Sequence, residues 1–184
     1  MGGMSGGTID LERRYTLADL EDFPEDGRRF ELADGWLLVS PNARRLHQIG
    51  SAELSDALRT ACPSGYYAFG LPINVDDPDA THFEPDLTVV RREFAKIENG
   101  DVPVLAVEVR SPSTAGRDAL LKRREYARLG ITSYWLFDVD APSLRILELQ
   151  GDDYVEKAFA QGSQEVTVAL PFPVTLVPAR LLDV

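Results

Sequence analysis

The 184-residue sequence predicts an α/β fold on a mixed β-sheet, with antiparallel hairpins at the ends. Three observations carry that reading. Helical and strand periodicities are interleaved along the chain. The run Val104 to Val109 is nearly apolar on both faces, as expected of a central strand covered on both sides. Short alternating runs at the beginning and end are separated by turn residues, which is the mark of antiparallel pieces.

Thr16 can cap a short helix over residues 17–20, which Pro24 and Gly27 close. Residues 29–33, Asp34-Gly35 and residues 36–40 form a hairpin, because Asp-Gly supplies the positive φ of a tight turn. Leu46, Ile49, Gly50, Leu54, Ala57 and Leu58 recur at helical spacing, so residues 43–61 form an amphipathic helix. Short strands follow over 67–69 and 73–75, then longer ones over 86–91 and 103–110. Ser113 or Thr114 caps a second helix that Gly130 ends near Leu129. Residues 134–139 are another apolar strand; 144–149, 154–159 and 165–168 read as a meander at one end of the sheet. A short helix over 178–182 finishes the chain, and both tryptophans, Trp36 and Trp135, are expected in the core.

With no internal linker or repeat, residues 15–184 read as one domain behind a flexible tail, 1–14. The opening MGGMSGG has neither the basic nor the apolar region of a signal peptide, and Gly6 stands where myristoylation requires Ser or Thr. A lone cysteine, Cys62, excludes an intrachain disulfide framework and fits a reducing, cytoplasmic setting. No apolar run is long enough to span a bilayer. The net charge of −11 argues against a protein that coats nucleic acid through a whole-surface positive field. It leaves room for a local site that handles phosphate with metal ions. Acids crowd Asp76, Asp77, Asp79, Glu84, Asp86 and Asp101, whereas Arg110, Arg117, Lys122, Arg123, Arg124 and Arg128 follow close behind.

Glu108 is the most informative residue. Period-2 alternation puts Ala106, Glu108 and Arg110 on one face of an otherwise apolar strand. A carboxylate there needs a compensating cation or donors: an ion pair with Arg110 or a lysine, or a metal ion. Pro85 launches the preceding strand, so Asp86 can project towards the same point. Two carboxylates and a backbone carbonyl, that of Val109, make a hard oxygen site suited to Mg²⁺ or Mn²⁺. Such an ion lowers the pKa of bound water and stabilises charge on a reacting phosphate. Asp118, Lys122 and Tyr126 recur every four residues on the following helix. They form either a plain Asp–Lys helix pair or a face that brings an ammonium beside the carboxylates.

The ordered set Phe30-Glu31-Leu32, Asp34-Gly35, Ser40-Pro41, His47-Gln48, Glu84-Pro85-Asp86, Val107-Glu108-Val109, Ser111-Pro112-Ser113-Thr114, Arg117-Asp118, Lys122, Tyr126 and Tyr134-Trp135-Leu136 resembles the Uma-two family. These are small bacterial restriction-endonuclease-like proteins of the PD-(D/E)XK nuclease superfamily, and the resemblance spans about residues 15–184. It implies a restriction-endonuclease-like core that cuts DNA with Mg²⁺ or Mn²⁺, as a homodimer. Asp86 and Glu108 become metal ligands, Lys122 the catalytic lysine supplied from the helix, and Glu31 an assisting acid. His47 is at most secondary, orienting an acid or contacting phosphate. One departure stands out: the superfamily has acid-any-Lys where this chain has Glu108-Val109-Arg110. Arg110 can contact phosphate bidentately but is a poor proton-transfer base. A non-catalytic binding or regulatory module on the same fold is the rival reading.

Overall fold

The computed structural model describes residues 9–75, 80–93, 102–110 and 117–183, the side chains of 117–119 excepted. The chain folds as two compact units, Met1–Asn42 with Asn74–Phe83, and Ala43–Ile73 with Glu84–Val184.

The smaller unit is built on a four-stranded sheet. Strands β1 (Arg29–Ala33) and β2 (Trp36–Ser40) form the expected hairpin, in register from Arg29 opposite Ser40 to Ala33 opposite Trp36. Asp34 and Gly35 turn it with φ of 48° and 75°, the left-handed conformation a two-residue hairpin loop requires. A strand absent from the sequence reading, β5 (Thr81–Phe83), pairs with β1, and β4 (Ile73–Val75) completes the order β2-β1-β5-β4. His82 lies on this strand, with Nδ1 2.7 Å from Asn74 Oδ1. Tyr15, Leu32 and Ala80 form the unit's small core. Trp36 is 45% exposed, contrary to expectation, with the Arg14 guanidinium over its ring. A 3₁₀ turn, Ala18–Asp22, replaces the short helix; the Asp19 amide donates to Thr16 Oγ1, and Asp19 Oδ2 accepts from the Thr16 amide and hydroxyl.

The larger unit is a six-stranded sheet of order β10-β9-β8-β7-β6-β3. Its strands are β3 (Tyr66–Phe69), β6 (Leu87–Arg91), β7 (Leu105–Arg110), β8 (Ser133–Asp138), β9 (Ser143–Gln150) and β10 (Asp153–Gln161). Only β7 and β8 run parallel; the helix α2 (Arg117–Arg128) lies between them in sequence, making a crossover unit. One face is apolar: Val107, Val109, Trp135, Phe137, Leu144 and Ile146 pack with Leu54 and Leu58 of α1 (Arg45–Ala61). Gly50 lets α1 approach that face, since a Cβ there would lie 2.8 Å from Val139 Cγ1 and 2.9 Å from Phe137 Cε1. The other face carries α2, and polar residues stand under it.

Two adjustments concern the ends. The run expected as the third strand of the meander is β11 (Val166–Val168), which pairs with β12 (Val174–Leu176) in a sheet of its own. The C-terminal helix is a 3₁₀ turn, Pro178–Leu182. The expected Ser113 or Thr114 cap and the acids Asp76, Asp77, Asp79 and Asp101 lie outside the described residues.

Candidate active site

Strands β6 and β7 are antiparallel with Leu87 opposite Val107, so the residue before β6, Asp86, stands beside Glu108. Backbone pairing thus brings the two acids together, as the sequence implied. Asp86 Oδ2 accepts the Val109 amide at 2.8 Å and lies 3.2 Å from His47 Nε2, at the start of α1. Its side chain is only 4% exposed. An amide and an imidazole therefore fix one carboxylate oxygen, which compensates the burial of its charge.

Glu108 is held from the other side. The Lys122 ammonium donates to both carboxylate oxygens, at 3.1 and 3.2 Å, and the Tyr126 hydroxyl donates to Oε1 at 2.7 Å. The four-residue spacing places Lys122 and Tyr126 on the same stripe of α2, which faces the sheet. Exposure falls to 7% for Lys122 and 13% for Glu108. The lysine expected from the helix does reach the strand acid. Arg110 lies two residues on along the same face and acts electrostatically on Tyr134.

Glu31 is buried, on β1 of the smaller unit. The side chain of Asp118 is outside the described residues. Arg44, just before α1, is paired with Asp140 at 2.8 Å.

Sequence reasoning missed two buried groups on this face. Tyr134, opposite Ala106 on β8, is 1% exposed and stacks edge-on against Tyr126, with ring centroids 5.3 Å apart. Burial, and then the Glu108 charge, push its phenol well above the usual range, so it stays protonated. Alternation with the core residue Trp135 was the available signal. Glu125 is 1% exposed and takes Arg128 at 2.8 Å and Arg124 at 3.3 Å. Its position beside Tyr126 on a polar stretch of helix offered no such signal.

Among the described residues, no three His, Cys, Asp or Glu side chains cluster closely enough to hold a metal ion. The donor set is two carboxylates from adjacent strands. That fits Mg²⁺, which characteristically binds through one or two carboxylates and keeps several waters.

Comparison with known proteins agrees with the fold. The family model Uma2, described as "Putative restriction endonuclease", matches residues 17–183. A solved structure described as "a putative nuclease belonging to DUF820", from Anabaena variabilis ATCC 29413, superposes with a TM-score of 0.72 at 17% identity, covering 92% of this chain and 98% of its own. No curated protein matches.

Proposed function

The chain belongs to the Uma2 family of restriction-endonuclease-like proteins, and from that premise we propose that it is a metal-dependent DNA endonuclease. Family and fold together support a nuclease. The observation that supports the finer reading most is the Lys122 ammonium on both oxygens of Glu108, beside Asp86 on the next strand.

Asp86 and Glu108, with the Val109 carbonyl, would hold Mg²⁺ or Mn²⁺. When bound, such an ion supplies Lewis acidity, lowering the pKa of a water and offsetting phosphate charge. The protein's own groups do the positioning. The Val109 amide and His47 hold Asp86 in one orientation, and Tyr126 and Lys122 hold Glu108. Lys122 carries spare N–H donors that can orient the attacking water or meet a phosphate oxygen as charge builds there. Water attacks phosphorus in line and gives up a proton to solvent, the bond to the 3′ oxygen breaks, and the departing oxygen takes up a proton from solvent. Cutting both strands of a duplex calls for two copies about a two-fold axis.

The low exposure of Lys122 and Glu108 also supports a second reading, a structural ion pair within a binding module. Incubation with plasmid, linear and single-stranded DNA in Mg²⁺, Mn²⁺ or EDTA separates the two. The nuclease reading expects metal-dependent cleavage, lost in Glu108→Ala and reduced at least a hundredfold, by about 3 kcal/mol of transition-state stabilisation, in Lys122→Ala. Cleavage that survives EDTA, or Glu108→Ala, would overturn it.

A further inference from the structure

A single row of side chains crosses the larger sheet from Glu108 to its edge. Glu108 pairs with Leu136 on β8, Leu136 with Arg145 on β9, and Arg145 with Phe159 on β10. Paired residues project from the same face, so all four share the face that carries the acids. At about 4.8 Å per strand, Arg145 lies roughly 10 Å and Phe159 roughly 14 Å from Glu108 along the row. Leu136 is half-buried, but Arg145 and Phe159 are 44% and 45% exposed. The Arg145 guanidinium carbon stands 5.0 Å from the Phe159 ring centroid, and Glu156 is its ion-pair partner.

An exposed aromatic ring overlaid by a guanidinium offers two things at once, a flat surface for a nucleobase and a charge for a phosphate. A further strand added to the β10 edge is a poor occupant, because a register shift between Glu156 and Ala158 disrupts the ladder there. We propose that Arg145 and Phe159 form a nucleotide subsite for the DNA strand beyond the reacting phosphate, stacking an unpaired base. The proposal rests on the nuclease reading of the Glu108 site. At a rise of about 3.4 Å per nucleotide, the subsite is about three to four nucleotides from the bond that breaks. Glu156 acts as the resident anion, which the strand displaces from Arg145.

The displacement gives the test opposite signs in two variants. Binding of a short fluorescent single strand to the full chain is measured by anisotropy in EDTA, where no cleavage occurs. Phe159→Ala weakens binding by about tenfold, within the range of about fivefold to a hundredfold for a lost base–aromatic stack. Glu156→Gln tightens it by about threefold or more, because Arg145 is released to phosphate. Both variants melt near the wild-type temperature, which separates these effects from misfolding. Unchanged binding in Phe159→Ala, or unchanged or weaker binding in Glu156→Gln, overturns the subsite. Equal weakening on blunt duplex overturns base stacking as its mode. Wild-type protein that never cleaves, while Phe159→Ala still weakens binding, would sink the nuclease reading and spare the subsite.

Discussion

Tyr134 has a buried hydroxyl with no hydrogen-bond partner among the described residues. Its ring lies between Tyr126 and Tyr154, whose hydroxyls do have acceptors, Glu108 Oε1 and the Ile131 carbonyl. An unsatisfied buried hydroxyl costs about 1–3 kcal/mol, so its removal relieves a penalty rather than breaking a bond. Tyr134→Phe is expected to leave stability unchanged or raise it by up to about 1 kcal/mol, read from urea unfolding. A loss of more than about 1 kcal/mol would mean that the hydroxyl has a partner, a buried water included. Tyr126→Phe, by contrast, removes a donor from Glu108 itself. At this scale the sequence was legible where alternation or four-residue spacing forces a side chain onto a face. Glu108, Lys122 and Tyr126 were found that way. Trp36 was misplaced because size argued for burial, whereas its edge position on β2 leaves it outside under Arg14.

The 3₁₀ turn Ala18–Asp22 shows how a short element is held by one side chain. Asp19 accepts from the Thr16 amide and hydroxyl and from Arg13, which lowers its carboxyl to about 2, with the Thr16 hydroxyl the largest cause. A carboxyl depressed in the folded state contributes stability above its unfolded value, near 3.8, and loses it as pH falls towards 2. Asp19→Asn should therefore lower stability at neutral pH and flatten the part of the stability–pH curve between about 4 and 2. An acid limb unchanged in the variant would mean that the turn is held by something else. Elements long enough to show several periods, α1, β7 and β8, were readable within two residues at each end, as was the C-terminal end of α2. The three-residue strands β5 and β12 were not, although the equally short β4 and β11 were, because so short a run barely displays alternation and its pairing comes from distant chain. For the same reason β11 could be seen as a strand but not assigned to its own sheet.

Across the whole molecule, the charge distribution sets what kind of DNA binder this chain can be. The basic stretch on α2 is largely answered from within: Lys122 by Glu108, Arg123 by Asp153, Arg124 and Arg128 by Glu125. With a net charge of −11 and guanidiniums already in ion pairs, few cations are released to phosphate at once. Duplex binding should fall with salt by a log–log slope shallower than about −3, measured from about 50 to 200 mM, and should strengthen with divalent ions. A slope near −10, typical of proteins with many phosphate contacts, would show the pairs to be open in the complex.

The two faces of the six-stranded sheet divide the labour of the molecule. Val107, Trp135 and Ile146 hold the fold together on one side, while on the other Glu108 lies under α2 and the row through Leu136 ends on the exposed Arg145 and Phe159, one residue out of phase along the same strands. Changes at the exposed end of that row, Arg145 and Phe159, leave the packing of the first side intact. A lineage with this architecture can therefore drift in what it binds while drawing little on its folding reserve, and selection for new specificity has a surface on which to work.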